Sequence, residues 1–113
     1  MKLYGIKNCD TCKKALKALE SAGHSVAYHD FRADGLNAEK ISEWIALFGR
    51  DKVLNTRSTT WRGLSDEDKN IGDDKDLVQL IVKNPTLVKR PVIENDPVFV
   101  IGWGKNEQHQ LLG

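Results

Sequence analysis

Cysteine is scarce in this sequence: 113 residues include two, Cys9 and Cys12, both near the start. So few exclude a disulfide-stapled secreted scaffold. In a reducing compartment a pair at this spacing points to catalysis, redox sensing or metal binding rather than a structural bridge. An excess of either charge is missing too, since 17 Lys and Arg face 16 Asp and Glu for a net charge of +1. The chain therefore has no broad basic field for gripping nucleic acid. No apolar run reaches membrane-spanning length, and Met1-Lys2-Leu3-Tyr4-Gly5 leads into a strand pattern with no secretory hydrophobic region. No direct nucleic-acid or membrane partner is expected, and the cytosol is the expected compartment. Repeats, low-complexity tracts and linkers are lacking as well. The apolar fraction of 40% excludes a disordered chain, and the length suits one domain, residues 1–113, with a single core.

The opening apolar residues Leu3-Tyr4-Gly5-Ile6 read as a short buried strand. From Cys9 the apolar positions take helical spacing, with Ala15, Leu16, Leu19 and Ala22, up to a stop at Gly23. Ser25 to Phe31 then reads as a second strand. Asn37 is a good N-cap for the next helix, where Leu36 and Ile41 are spaced to close a hydrophobic staple. Ile41, Trp44, Ile45 and Phe48 form its apolar face, and Gly49 ends it. Residues 50–74 are polar and broken, with short helical pieces near Val53-Leu54 and after Ser65, and a Thr-rich loop at Asn55 to Thr60. A helix from about Lys75 stops at Asn84-Pro85. Strands Val92-Ile93 and Val98 to Ile101 flank the turn Glu94-Asn95-Asp96-Pro97, and a short helix closes the chain. The order is βαβ, helices, ββα. It predicts an α/β protein of the thioredoxin-like fold with a mixed sheet, its core at 1–35 and 86–113, and an all-helical insertion at about 36–85.

Cys9 falls at the strand-to-helix junction. A helix N-terminus has unpaired N–H groups and about half a positive charge, so it lowers the pKa of a thiol placed there. Cys12, one turn on, is spaced to attack a disulfide formed on Cys9, which makes the two a nucleophile and resolving pair. A small buried hydrophobe is the plainer reading of Cys12. Lys13 and Lys14 are either acidifying neighbours of the nucleophile or a solvated helix face. Cys9, Cys12, His24 and His29 nearly fit a zinc-finger spacing, but cysteines that open a helix and histidines on opposite faces of a strand do not converge on one ion, so no metal is expected. Trp44 reads as core, Trp61 and Trp103 as loop residues, and Thr11 as a candidate helix cap.

Three segments carry a family likeness: Tyr4-Gly5-Ile6-Lys7-Asn8-Cys9-Asp10-Thr11, Leu54-Asn55-Thr56-Arg57-Ser58-Thr59-Thr60-Trp61-Arg62, and Val88-Lys89-Arg90-Pro91-Val92-Ile93. Together they resemble the arsenate reductase and Spx-like family, and most closely its YffB branch, regarded as glutathione-dependent thiol reductases. The resemblance implies a catalytic thiolate at Cys9, active-site arginines at Arg57 and Arg90, and a cis peptide before Pro91. It adds Thr11, Arg62 and Pro91 as residues that bind substrate or glutathione. Arginine offers bidentate donors to carboxylates, of which glutathione has two. No bound cofactor is implied. Glutathione is the co-substrate, and its partner is a small-molecule or protein disulfide or oxyanion. Two departures weaken arsenate as substrate: Gly5 stands where arsenate reductases tend to have a histidine, and Ile101-Gly102-Trp103 takes the place of a further arginine. Cys12 matches the two-cysteine spacing of the Spx regulators. It keeps open the alternative of a redox sensor that binds RNA polymerase.

Overall fold

Apolar residues on both faces put the first strand inside a sheet, and the computed structural model, which describes residues 1–113, places it there. The strands are β1 (Lys2–Gly5), β2 (Ala27–Asp30), β3 (Val92–Asn95) and β4 (Val98–Ile101). They pair in the order β2-β1-β3-β4, with β1 parallel to β2 and the other pairs antiparallel. The thioredoxin-like α/β expectation is met in this mixed sheet. Its register aligns Leu3 with Ile93 and Ile93 with Val100, a cross-strand row on one face. That row joins Cys12, Ala15 and Leu19 of α1 (Asp10–Ser21) and Leu111 of α7 (Lys105–Leu112) in a core of fully or almost fully buried side chains. β4 has its expected bounds, but β3 runs two residues past Val92-Ile93, so the expected four-residue turn shrinks to Asp96-Pro97. Its peptide bond is cis.

The chain forms two compact units. The first, Met1–Asp34 with Arg90–Gly113, contains the sheet, α1 and α7. The second, Gly35–Lys89, is helical: α2 (Ala38–Phe48), α3 (Arg50–Val53), α4 (Thr59–Arg62), α5 (Asp66–Lys69), α6 (Asp74–Lys83) and a 3-10 turn at Pro85–Leu87. Ile41, Trp44 and Ile45 of α2 and Leu77, Val78 and Ile81 of α6 are its buried apolar faces. The side chains that start these helices are visible in the sequence. Asn37 Oδ1 accepts from the Lys40 N–H at 2.8 Å, and Leu36 and Ile41 are both buried, as a staple requires. Gly49 ends α2 at φ +89°, a conformation that a Cβ disfavours. Asn37→Ala is expected to cost about 1 kcal/mol and to lower the melting temperature by about 4 °C, which differential scanning calorimetry would register.

One stretch departs from the expectation. Residues 59–62, read as loop, form α4, because Ser58 Oγ accepts from the Trp61 N–H at 3.1 Å and caps a single turn. Trp61 and Arg62 are therefore helical, while Trp103 does lie in the connection between β4 and α7. The start of the loop is fixed within the same unit by a bridge between Leu54 and Val88 and by the Asn55 N–H on the Leu87 carbonyl at 2.8 Å. No helix is long and apolar enough to cross a membrane.

Candidate active site

β1 delivers the chain to a tight turn. The Cys9 N–H donates to the Ile6 carbonyl at 3.2 Å, and the Cys9 carbonyl accepts the first helical N–H, from Lys13, at 3.0 Å. Cys9 is thus the N-cap residue of α1, extended at φ −98° and ψ 116°. Thr11, expected as a cap, sits instead in the first turn and is exposed. The Cys9 sulfur is half-buried and makes no conventional capping hydrogen bond. Its pKa is nevertheless lowered. Partial burial opposes ionisation, but the Cys12 N–H and thiol and the Arg90 guanidinium favour the thiolate more strongly.

Cys12 has the opposite environment. It stands in the first turn of α1 and is completely buried, and burial pushes its thiol up to about 12, with the neighbouring Cys9 adding to the shift and the Ile6 N–H and Arg90 opposing it. The two sulfurs therefore differ in kind, one poised to ionise and one held as a neutral thiol. Gly5 belongs to this arrangement. A Cβ at residue 5 would collide with Cys12 Sγ and lie 3.3 Å from the Tyr28 hydroxyl oxygen. The Tyr28 hydroxyl donates to the Ile6 carbonyl at 2.7 Å, and burial raises its pKa.

Among the residues singled out in the sequence, Cys9, Thr11, Cys12, Arg90 and Pro91 belong to the first unit, and the structure brings Cys9, Cys12 and Arg90 together. The Arg90–Pro91 bond is cis, as the resemblance implies. Pro91 is buried at the entry to β3, and its carbonyl accepts from the Gly102 N–H at 2.8 Å. Arg57 and Arg62 belong to the second unit and are exposed, and the Arg57 N–H donates to Asn55 Oδ1 at 3.0 Å. Trp44 is core, Trp103 packs on the first unit's core, and Trp61 lies under Lys69 Nζ, 6.0 Å from its ring centre. No group of three or more His, Cys, Asp or Glu side chains is disposed to hold a metal ion.

Sequence reasoning passed over Asp30, which is 6% exposed. Its Oδ1 accepts from the Arg32 and Ala33 N–H groups at 2.7 and 3.1 Å, and its Oδ2 from the Lys7 N–H at 3.0 Å. Burial would raise its pKa, but those three N–H groups outweigh it and hold the carboxyl below its ordinary value. Lys7, Lys13, Leu16, Tyr28, Asp30 and Asp34 line an open cleft of about 450 Å³ beside the turn.

This sheet order, with a cysteine capping the helix after the first strand and a cis proline entering the third, defines an α/β protein of the thioredoxin-like class. The chain belongs to the ArsC family, whose model matches residues 4–111. It is 45% identical over 107 residues to an uncharacterized protein of Haemophilus influenzae, covering 93% of this chain and 92% of that one. It is 30% identical to the global transcriptional regulator Spx of Listeria innocua, over 97% of this chain and 85% of the regulator. A solved structure of a protein named YffB superposes with a TM-score of 0.92 at 34% identity, covering 99% of this chain and 98% of the other. The family places the chain among arsenate reductase-like and Spx-like proteins of thiol chemistry.

Proposed function

We propose that the protein is a glutathione-dependent thiol-disulfide reductase of the reducing cytosol with Cys9 as its nucleophile. The observation that carries this reading is the asymmetry of the cysteine pair: a half-exposed Cys9 with a lowered pKa above a buried, protonated Cys12. The Cys9 thiolate attacks one sulfur of a substrate disulfide, forming a mixed disulfide and expelling the other sulfur as a thiolate. A glutathione thiolate then attacks the substrate sulfur of that mixed disulfide. A glutathione–substrate disulfide leaves, and the Cys9 thiolate is regenerated. Arg90 beside the sulfur favours the thiolate and offers donors to an anionic partner. Arg57, Arg62, Thr11 and Pro91 are proposed as binding residues on the family resemblance alone.

Cys12 is a poor resolving thiol while buried, because almost none of it is thiolate near neutrality. An arsenate reductase proper is disfavoured for the same structural reason that Gly5 is glycine: Cys12 Sγ fills the space that a side chain at residue 5 would enter. A redox sensor that binds RNA polymerase is the second reading, and the free cysteines one helical turn apart favour it. Intact mass after treatment with oxidised glutathione separates the two. A stable adduct of one glutathione on wild type, retained in Cys12→Ser and lost in Cys9→Ser, is the expected result. Rapid conversion of the adduct to a Cys9–Cys12 disulfide would favour the sensor, and no adduct at all would remove the reductase.

A further inference from the structure

Ladder pairing of β1 with β2 ends at Gly5 opposite Asp30, with the Phe31 N–H on the Gly5 carbonyl at 2.7 Å. The next residues, Ile6 to Cys9, have no strand to hold them, yet they aim the nucleophile. Side chains of β2 take over where its backbone stops. Tyr28 and Asp30, two residues apart on one face of the strand, reach the Ile6 carbonyl and the Lys7 N–H in turn. A local turn explains only half of the Asp30 carboxylate, since the Arg32 and Ala33 bonds both go to Oδ1. The other oxygen is committed to Lys7, 23 residues away in sequence. Burying a carboxylate costs free energy unless each oxygen is satisfied, and here the long-range partner lies two residues before Cys9.

We propose that Asp30 and Tyr28 are positioning residues that clamp the Ile6–Cys9 turn and so hold the Cys9 sulfur where the Cys12 N–H and thiol and the Arg90 guanidinium act on it. The proposal rests on the reading of Cys9 as an activated thiolate. Cys12, Arg90 and the start of α1 act on Cys9 itself, and the Tyr28 hydroxyl faces the Cys12 side chain as well as the turn. Asp30 has Lys7, Arg32, Asp34 and Tyr28 around it. In Asp30→Asn the amide oxygen can keep the two local bonds, which turns the NH2 group toward the Lys7 N–H, donor against donor. The substitution separates two effects by sign. Deleting a negative charge near Cys9 would by itself favour the thiolate, whereas releasing the turn disfavours it.

The test is the rate of Cys9 alkylation by iodoacetamide against pH, read by intact mass, with circular dichroism to establish that each variant is folded. Asp30→Asn is expected to raise the midpoint and slow alkylation about tenfold near pH 6, one unit of pKa corresponding to a tenfold change in thiolate. Tyr28→Phe, which deletes one hydroxyl, is expected to shift it the same way by a smaller amount, and it decides the matter if Asp30→Asn does not fold. A midpoint that falls or stays put in folded variants would overturn the clamp while leaving the activated thiolate intact. A wild type that titrates like a free cysteine would remove the thiolate reading, and the clamp with it.

Discussion

Cys9→Ser is expected to take up no glutathione from glutathione disulfide at any pH and to lose turnover by about a thousandfold or more, the scale on which enzymes lose activity with their nucleophile. Serine keeps the size and the N-cap position, so the fold should survive and only the chemistry should go. What serine cannot supply is an anion near neutrality. The Cys9 thiol can, because its pKa is depressed by the Cys12 N–H and thiol and by Arg90 despite partial burial. The sign of the pH dependence follows. A depressed pKa keeps the reactive anion present at pH values where a free thiol is already protonated, so glutathionylation of wild type should persist into mildly acidic solution. Cys12→Ser should keep most of that reactivity, since a serine hydroxyl can still donate to the Cys9 sulfur. Cys12→Ala, with no donor, should lose more. Steady-state reduction of a model disulfide with glutathione, followed across pH for all four proteins, checks the whole set.

Gly5→Ala should be the most damaging single methyl group in the first unit. The added Cβ would run into Cys12 Sγ and stand 3.2 Å from Cys12 Cβ and 3.3 Å from the Tyr28 hydroxyl oxygen. Gly5 and Cys12 are both buried, so neither can swing out to solvent. Overpacking of this kind costs about 1–3 kcal/mol. The displaced sulfur is also the one that favours the Cys9 thiolate, so the Cys9 alkylation midpoint should rise together with the loss of stability. The double variant Gly5→Ala/Cys12→Ala relieves the collision and is expected to be more stable than Gly5→Ala alone, a non-additivity that chemical denaturation of the four members of the cycle measures. Stability that is simply additive across the cycle would mean that residues 5 and 12 do not share that space.

The order of elements was readable where a boundary has a local cause: Asn37 as a cap, Gly49 as a stop and Pro85 as a break. The helix at 59–62 was not, since one turn capped by Ser58 is too short to show a period. At the site, Cys9 stood out by its place at the junction of a strand and a helix. Asp30 did not. At the end of a strand an aspartate reads as an exposed turn residue, and its burial becomes visible only when the Lys7, Arg32 and Ala33 N–H groups converge on it. The same holds for Gly5, whose lack of a side chain matters because Cys12 Sγ occupies the space beside it. The reach of Asp30 to Lys7 depends on the parallel register of β1 and β2, which no single residue announces.

The ionisation of Cys9 underlies both its role as nucleophile and the clamp on its turn, and the most direct measurement is its alkylation rate in the native wild-type protein from about pH 4 to pH 10, with Cys9→Ser as the control for modification elsewhere. A midpoint clearly below the free-cysteine value of about 8.5, with Cys12 unmodified throughout, is the predicted result. A midpoint at or above that value would contradict it.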